Sequence, residues 1–159
     1  MGKPLKRHPA LVPLSQDHHF GLLLVWKIRK GLKKELDTDR ILKYIDYYYS
    51  EHLEPHFQLE ERHIFSFLGR NDLMRKEVEK QHADLRELIE ELYKEQEEVN
   101  ALLEKFAGDL EAHIRFEERK LFQHMQVELK EDELLEMKGI VDRIHEKTTE
   151  KWQDQFWAN

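Results

Sequence analysis

The residues best suited to do chemistry lie in a segment that occurs twice. Leu53-Glu-Pro-His-Phe-Gln-Leu-Glu-Glu-Arg-His-Ile-Phe65 returns as Leu110-Glu-Ala-His-Ile-Arg-Phe-Glu-Glu-Arg-Lys-Leu-Phe122, with Leu, Glu, His, Glu, Glu, Arg and Phe at matching places. Each copy sets a histidine four residues before a glutamate, His56 with Glu60 and His113 with Glu117. On a helix, residues four apart share a face about one turn from each other, so each pair offers one nitrogen and one oxygen to a single ion. The chemistry this suggests is metal binding.

The helices that must carry these residues can be read from apolar spacing. Leu14, His18, Gly21, Val25, Ile28 and Leu32 mark the inner face of a first helix with Ser15 as its expected cap. Asp37-Thr-Asp39 opens a second, with Ile45, Tyr49, His52, His56 and His63 on one face and Pro55 expected to kink it. Gly69-Arg-Asn-Asp72 ends that helix and caps a third, whose stripe is Val78, His82, Leu85, Ile89 and Leu92. A junction between Lys94 and Asn100 leads to a fourth helix carrying Leu103, Phe106, Leu110, His113 and Glu117 inward. A fifth, about 131 to 150, turns Leu134, Met137, Val141, Ile144 and Thr148 one way, and Trp152, Phe156 and Trp157 follow to cover a bundle end or an oligomer contact.

Two residues of an antiparallel pair lie level when the loop falls midway between them. The midpoint of His18 and His56 is 37, that of His56 and His82 is 69, and that of His82 and His113 lies between 97 and 98. All three fall in expected junctions, so one histidine per helix meets at one level of an up-down-up-down four-helix bundle. The second and fourth helices run in the same direction, and both glutamates lie a turn from that level toward the same end.

Two carboxylates buried there repel each other and need a cation. No Lys or Arg falls on the inner stripes at that level, although Arg29 and Arg86 lie close. Imidazole with carboxylate suits iron, manganese or zinc, and four nitrogens with two carboxylates exceed the needs of one tetrahedral zinc. The set His18, His56, Glu60, His82, His113 and Glu117 therefore points to two ions, iron first, with zinc or manganese as substitutes. His52 and His63 share the face of His56 and either add a ligand or line an access channel; His19 is the alternative to His18. His8, His124 and His145 are expected to be structural or exposed, and Glu61, Arg62, Glu118 and Arg119 to face outward or support the site. The run Tyr47-Tyr-Tyr49 reads as packing.

Composition bounds the rest. The chain has 159 residues, 40% hydrophobic and 37% charged, which suits one domain of amphipathic helices. A net charge of -7 argues against binding nucleic acid, which calls for a basic surface. Having no Cys, it can make neither disulfides nor thiolate zinc or Fe-S sites. Met-Gly-Lys-Pro-Leu-Lys-Arg-His-Pro lacks the apolar stretch of a signal peptide, Lys6 stands where a myristoylation motif wants Ser or Thr, and Leu22–Trp26 is far short of a membrane span. A cytoplasmic protein with no membrane or nucleic-acid partner is expected, its protein partner unknown. Its parts are an N-terminal arm over 1–13, a bundle over 14–127, and a C-terminal helix and tail packed on the bundle over 128–159.

Ser15-Gln-Asp-His-His19, the two copies of His-x-x-x-Glu-Glu followed by an apolar residue and Phe, and the lone His82 together resemble the hemerythrin-like family, or HHE cation-binding domain, from about residue 14 to 125. The resemblance implies a hemerythrin-like four-helix bundle around a non-heme, oxo- or hydroxo-bridged di-iron centre. By position, His18, His56, His82 and His113 would be terminal ligands and Glu60 and Glu117 would bridge. The oxygen-carrying hemerythrins are similar to a pattern with two histidines one turn apart on the third helix, whereas Val78 and Arg86 flank His82 here, and the second bridge is Glu117 rather than an aspartate. That departure leaves a coordination position free and favours a reactive or sensing centre over an oxygen store. The expected function is a non-heme di-iron binding protein that senses or handles dioxygen, nitric oxide or iron, with a small diatomic ligand. The alternatives are a di-iron enzyme that activates dioxygen or peroxide or reduces nitric oxide, and a metal-free helical adaptor. Ferritin-like sites place Glu three residues before His, the opposite order.

Overall fold

The computed structural model describes residues 6–94 and 97–158, and every described element is helical. Four helices form the bundle: α1, Val12–Lys33; α2, residues 38–64, ending in a 3-10 turn at Phe65–Phe67; α3, Leu73–Tyr93; and α4, residues 99–128. A fifth, α5, spans Glu131–Ile144. Asp37 caps α2 by accepting from the Asp39 N–H, and Asp72 caps α3 by accepting from the Arg75 N–H at 3.0 Å, both as the capping clusters predict. Of the α3–α4 junction, residues 95 and 96 lie outside the described residues.

Ser15 is not a cap. α1 begins earlier, at Val12, with Pro13 in its first turn where a missing N–H costs nothing, so the last two residues of the expected arm are helical. The Ser15 hydroxyl donates to Glu118 Oε2 at 2.7 Å instead.

Pro55 is accommodated by a change of helix type rather than by an end of α2. A π turn at Tyr49–Leu53 precedes it, in which the Glu54 N–H reaches back to the Tyr49 carbonyl, and Pro55 falls in the first turn of the α-helical segment that follows. The wider turn absorbs the residue that has no N–H to give.

The core has two parts, one on each side of the His/Glu level. Toward one end Leu24, Ile28, Ile45, Leu85, Ile89, Phe106 and Leu110 are buried together. Toward the other, Leu14, Ile64, Phe65, Val78, Leu121, Phe122 and Met125 pack with Leu134, Met137 and Val141 of α5. The extra helix thus closes one end of the bundle. It is shorter than predicted: Ile144 is exposed and Thr148 lies beyond the helix. From His145 onward the chain is held by side chains of α1 and α2, His145 and Thr148 on Asp17 and Glu150 on Lys27 and Tyr44.

This C-terminal strap covers the other end. Phe156 is buried against Gly31, where an added Cβ would stand 2.8 Å from Ile41 Cδ1 and 3.0 Å from the Phe156 ring. Trp152 stacks on Tyr47 and Trp157 packs on Tyr44, so the tail aromatics cover a bundle end, the first of their two expected roles. Glu150 reaches a buried cation absent from the sequence reading: Lys27, 6% exposed, donates to Glu150 at 2.7 Å and to the Tyr44 hydroxyl at 2.9 Å, and lies 4.0 Å from the centre of the Trp157 ring. Paired and stacked in this way, the ammonium replaces the contacts it loses with water.

Candidate metal centre

One histidine from each bundle helix and two glutamates meet between the two apolar layers, all six buried. His18 (α1), His56 (α2), Glu60 (α2) and Glu117 (α4) form one group; Glu60, Glu117, His82 (α3) and His113 (α4) form a second, and within each group the ligand atoms lie within 4.8 Å of one another. Donors about 2.1 Å from a shared ion can stand no more than about 4.2 Å apart, so each group is at its widest slightly broader than one ion would hold it. The two groups share both glutamates.

The sequence repeat becomes a repeat of backbone geometry. Each glutamate opens a π turn, Glu60–Ile64 and Glu117–Leu121, closed by the N–H of Phe65 on the Glu60 carbonyl and of Phe122 on the Glu117 carbonyl. In both copies the first glutamate is fully buried in the site while the second reaches a histidine of another helix. π turns recur at functional sites.

Each of the four histidines is oriented through Nδ1. His18 Nδ1 is 2.6 Å from Glu118 Oε2, His82 Nδ1 is 2.6 Å from Glu61 Oε2, and His56 Nδ1 is 2.8 Å from Asp17 Oδ2. Ionised carboxylates have no proton to give, so the imidazole N–H donates in each case. His113 Nδ1 meets the Gln81 carbonyl oxygen at 2.8 Å. All four Nε2 atoms therefore face the glutamates: His18 at 3.0 Å from Glu117, His56 at 3.2 Å from Glu60, His82 at 3.3 Å from Glu60 and His113 at 2.9 Å from Glu117.

These inward atoms test whether a cation fits. Among the described residues, His18 Nε2, His56 Nε2, His113 Nε2, both Glu60 oxygens and Glu117 Oε1 are buried with no well-aligned hydrogen bond, their close polar neighbours being one another. Orphaned polar atoms are rare in native interiors, and six converging on one place would be costly. Their chemistry, imidazole nitrogen with carboxylate oxygen, is that of a transition-metal site. The residues fit the ions.

Protonation of the metal-free site follows the same pattern. Burial works against charging His18 and His82, but Glu117 with Glu118, and Glu117 with Glu60 and Glu61, outweigh it and raise their pKa values to about 9 and about 10. His56 is raised well above its ordinary value against burial, by Glu60 and Asp17. For His113, whose Nδ1 partner is an uncharged amide, burial prevails and the pKa is lowered. Despite burial, the neighbouring histidines, His113 foremost, hold Glu117 well below the usual carboxylate range.

The family model for the hemerythrin HHE cation-binding domain matches residues 16–125. The chain belongs to that family. No curated protein and no solved structure matches. Membership in the hemerythrin HHE family implies cation binding, and all six residues expected as ligands lie in the two donor groups. His19 is exposed and His63 lies outside both groups. His52 belongs to neither, but packs edge-on against the rings of Tyr47 and Tyr48 and lines a cavity beside His18 and His56. His124 pairs with Asp72, His8 with Glu131 and His145 with Asp17, all supporting the fold. Glu61 and Glu118 support the site rather than facing away, and Arg62 and Arg119 are exposed. Asp17 and Gln81 escaped the sequence reading; the signal available was a polar residue directly before each of His18 and His82. Among the described residues, no helix of this HHE domain is long and apolar enough to cross a membrane.

Proposed function

We propose that this HHE domain is a non-heme di-iron protein that senses or handles dioxygen, nitric oxide or iron. The carrying observation is the pair of donor groups joined at Glu60 and Glu117, with their inward atoms lacking any other partner. His18 and His56 would hold one ion, His82 and His113 the other, and the two glutamates would serve both. When bound, such a pair supplies redox chemistry and a coordination position for a small ligand. The protein supplies the rest: the apolar layers above and below exclude water, and the Nδ1 hydrogen bonds keep each Nε2 turned inward. Two histidines for each ion, with Val78 and Arg86 beside His82, leave fewer nitrogen ligands than an octahedral iron accepts.

A cavity of about 20 Å³, lined by His18, His56 and His113 with Gly21, Tyr48 and His52, adjoins the site. It has room for one water-sized or diatomic molecule. Reduced, iron-loaded protein exposed in turn to air, azide and nitric oxide should develop new absorption bands with each. A spectrum unchanged by all three would contradict the proposal. The same cavity favours a second reading, turnover of dioxygen or peroxide or reduction of nitric oxide. It requires product above a free-iron control that disappears in Glu60→Ala. The proposal includes the cytoplasmic location expected from the sequence, which fractionation of tagged protein would check.

A further inference from the structure

The two donor groups match residue for residue except in what stands behind one histidine. Advancing from Asp17-His18 to Gln81-His82 exchanges a carboxylate for an amide in the same role. In the first half, His18 donates to Glu118 at 2.6 Å and His56 to Asp17 at 2.8 Å, so both imidazoles rest on carboxylates. In the second, His82 donates to Glu61 at 2.6 Å but His113 donates to the neutral Gln81 oxygen at 2.8 Å.

The carboxylates are also engaged to different degrees. Arg86 binds Glu61 through both terminal nitrogens, at 2.8 and 3.1 Å, while its Nε donates to Glu54, so a guanidinium shared between two carboxylates faces Glu61, the one carboxylate on an Nδ1 of the second half. Glu118 accepts from Ser15 at 2.7 Å and from Arg7 at 3.2 Å. Asp17 is approached by the His145 ring nitrogen, at 2.9 and 3.0 Å, and by the Thr148 hydroxyl at 3.2 Å. These two donors from the strap hold Asp17 in place behind His56.

A carboxylate on Nδ1 strengthens the imidazole as a ligand, and loss of such a partner commonly weakens metal affinity 10- to 100-fold. The glutamates are common to both halves, so the residues behind the histidines are what distinguishes them. We infer that the two metal positions are unequal: the His18/His56 half binds its cation first and more tightly, and the His82/His113 half is the weaker position, filled second and emptied first. The inference rests on the two-ion reading and adds an order of loading to it. A centre built this way passes through a state holding one cation at His18/His56 as metal availability falls.

The test is an anaerobic Co²⁺ titration of the metal-free full chain at pH 8, followed by visible absorption against a competing chelator. His82→Gln leaves the first half intact and His18→Gln leaves the second; circular dichroism establishes that each is as helical as the unaltered chain. The His82→Gln protein should bind one Co²⁺ roughly 10- to 100-fold more tightly than the His18→Gln protein. Within the His82→Gln background, Asp17→Asn should remove most of that advantage. Within the His18→Gln background, Gln81→Glu should raise affinity by a similar factor. It is combined with Glu77→Gln because the Gln81 amide donates to Glu77 at 3.2 Å and two carboxylates would otherwise face each other. Equal affinities in the two single-half proteins, or no gain from Gln81→Glu with Glu77→Gln, would overturn the inference while leaving the two-ion reading intact. No Co²⁺ bound by the unaltered chain would overturn the two-ion reading itself.

Discussion

The half of the site made by α1 and α2 and the half made by α3 and α4 present the same ligands in the same orientation. They differ in their surroundings. The first rests on Asp17, which the strap residues His145 and Thr148 also hold, and both its histidines line the cavity beside Gly21 and Tyr48, which of the second half only His113 reaches. The second rests on Gln81 and Glu61, with Arg86 locked across Glu61 and Glu54, and its His82 is stacked on Phe57 at 3.9 Å. The two halves agree in the histidines and glutamates turned inward and differ in the residues that support and enclose them.

The comparison breaks most completely at the residues both halves share. Glu60→Ala and Glu117→Ala should each weaken both ions, by more than about 100-fold, because a ligand is lost rather than an outer partner. Metal content after gel filtration should fall from two ions per chain to none. A variant that kept one ion would show that the halves do not depend on a common glutamate.

Acidity tests a feature of both halves, since each contains a histidine whose metal-free pKa is raised, His18 to about 9 and His82 to about 10. The unfolded value is about 6.5. A raised folded pKa contributes stability that is fully present below about 6.5 and lost as pH rises through the folded value. The melting temperature of metal-free protein should therefore fall from pH 7 to pH 10. With metal on Nε2 there is no proton to lose, and the fall should disappear. Equal pH profiles with and without metal would count against these histidines as ligands.

The smallest effect belongs to the cavity. Gly21 follows His18 by the interval that separates Leu85 from His82, so the second half has a leucine where the first has no side chain. A Cβ on Gly21 would approach Ile114 Cδ1, the tip of a flexible side chain, to 2.7 Å, and with Ala favoured over Gly inside a helix Gly21→Ala should change stability by less than about 1 kcal/mol in chemical denaturation. It should also weaken azide binding without changing metal content. Unchanged azide affinity would mean that ligands reach the site by another route.

Legibility in the sequence followed the range of the interaction. His56 with Glu60 and His113 with Glu117 are local pairs at helical spacing, and His18 and His82 could be added because loop midpoints placed all four at one level. Apolar stripes likewise marked the helices and the inner face of α5 at Leu134, Met137 and Val141. Asp17 and Gln81 were not legible, because each orients the histidine of a neighbouring helix, and the spacing within one helix does not say where a side chain reaches. The π turns at Glu60 and Glu117 leave no mark in a pattern of apolar residues. The strap was misread at Thr148 because its spacing continues the α5 stripe, whereas its hydroxyl bonds to Asp17.

The central claim is that the repeated halves form one site for two ions, and counting iron tests it most directly. Elemental analysis of protein loaded anaerobically with ferrous iron should find two irons per chain in the unaltered protein, one in His56→Gln, one in His113→Gln and none in the double variant. No iron in the unaltered protein, or the same iron content in the double variant, would contradict the account.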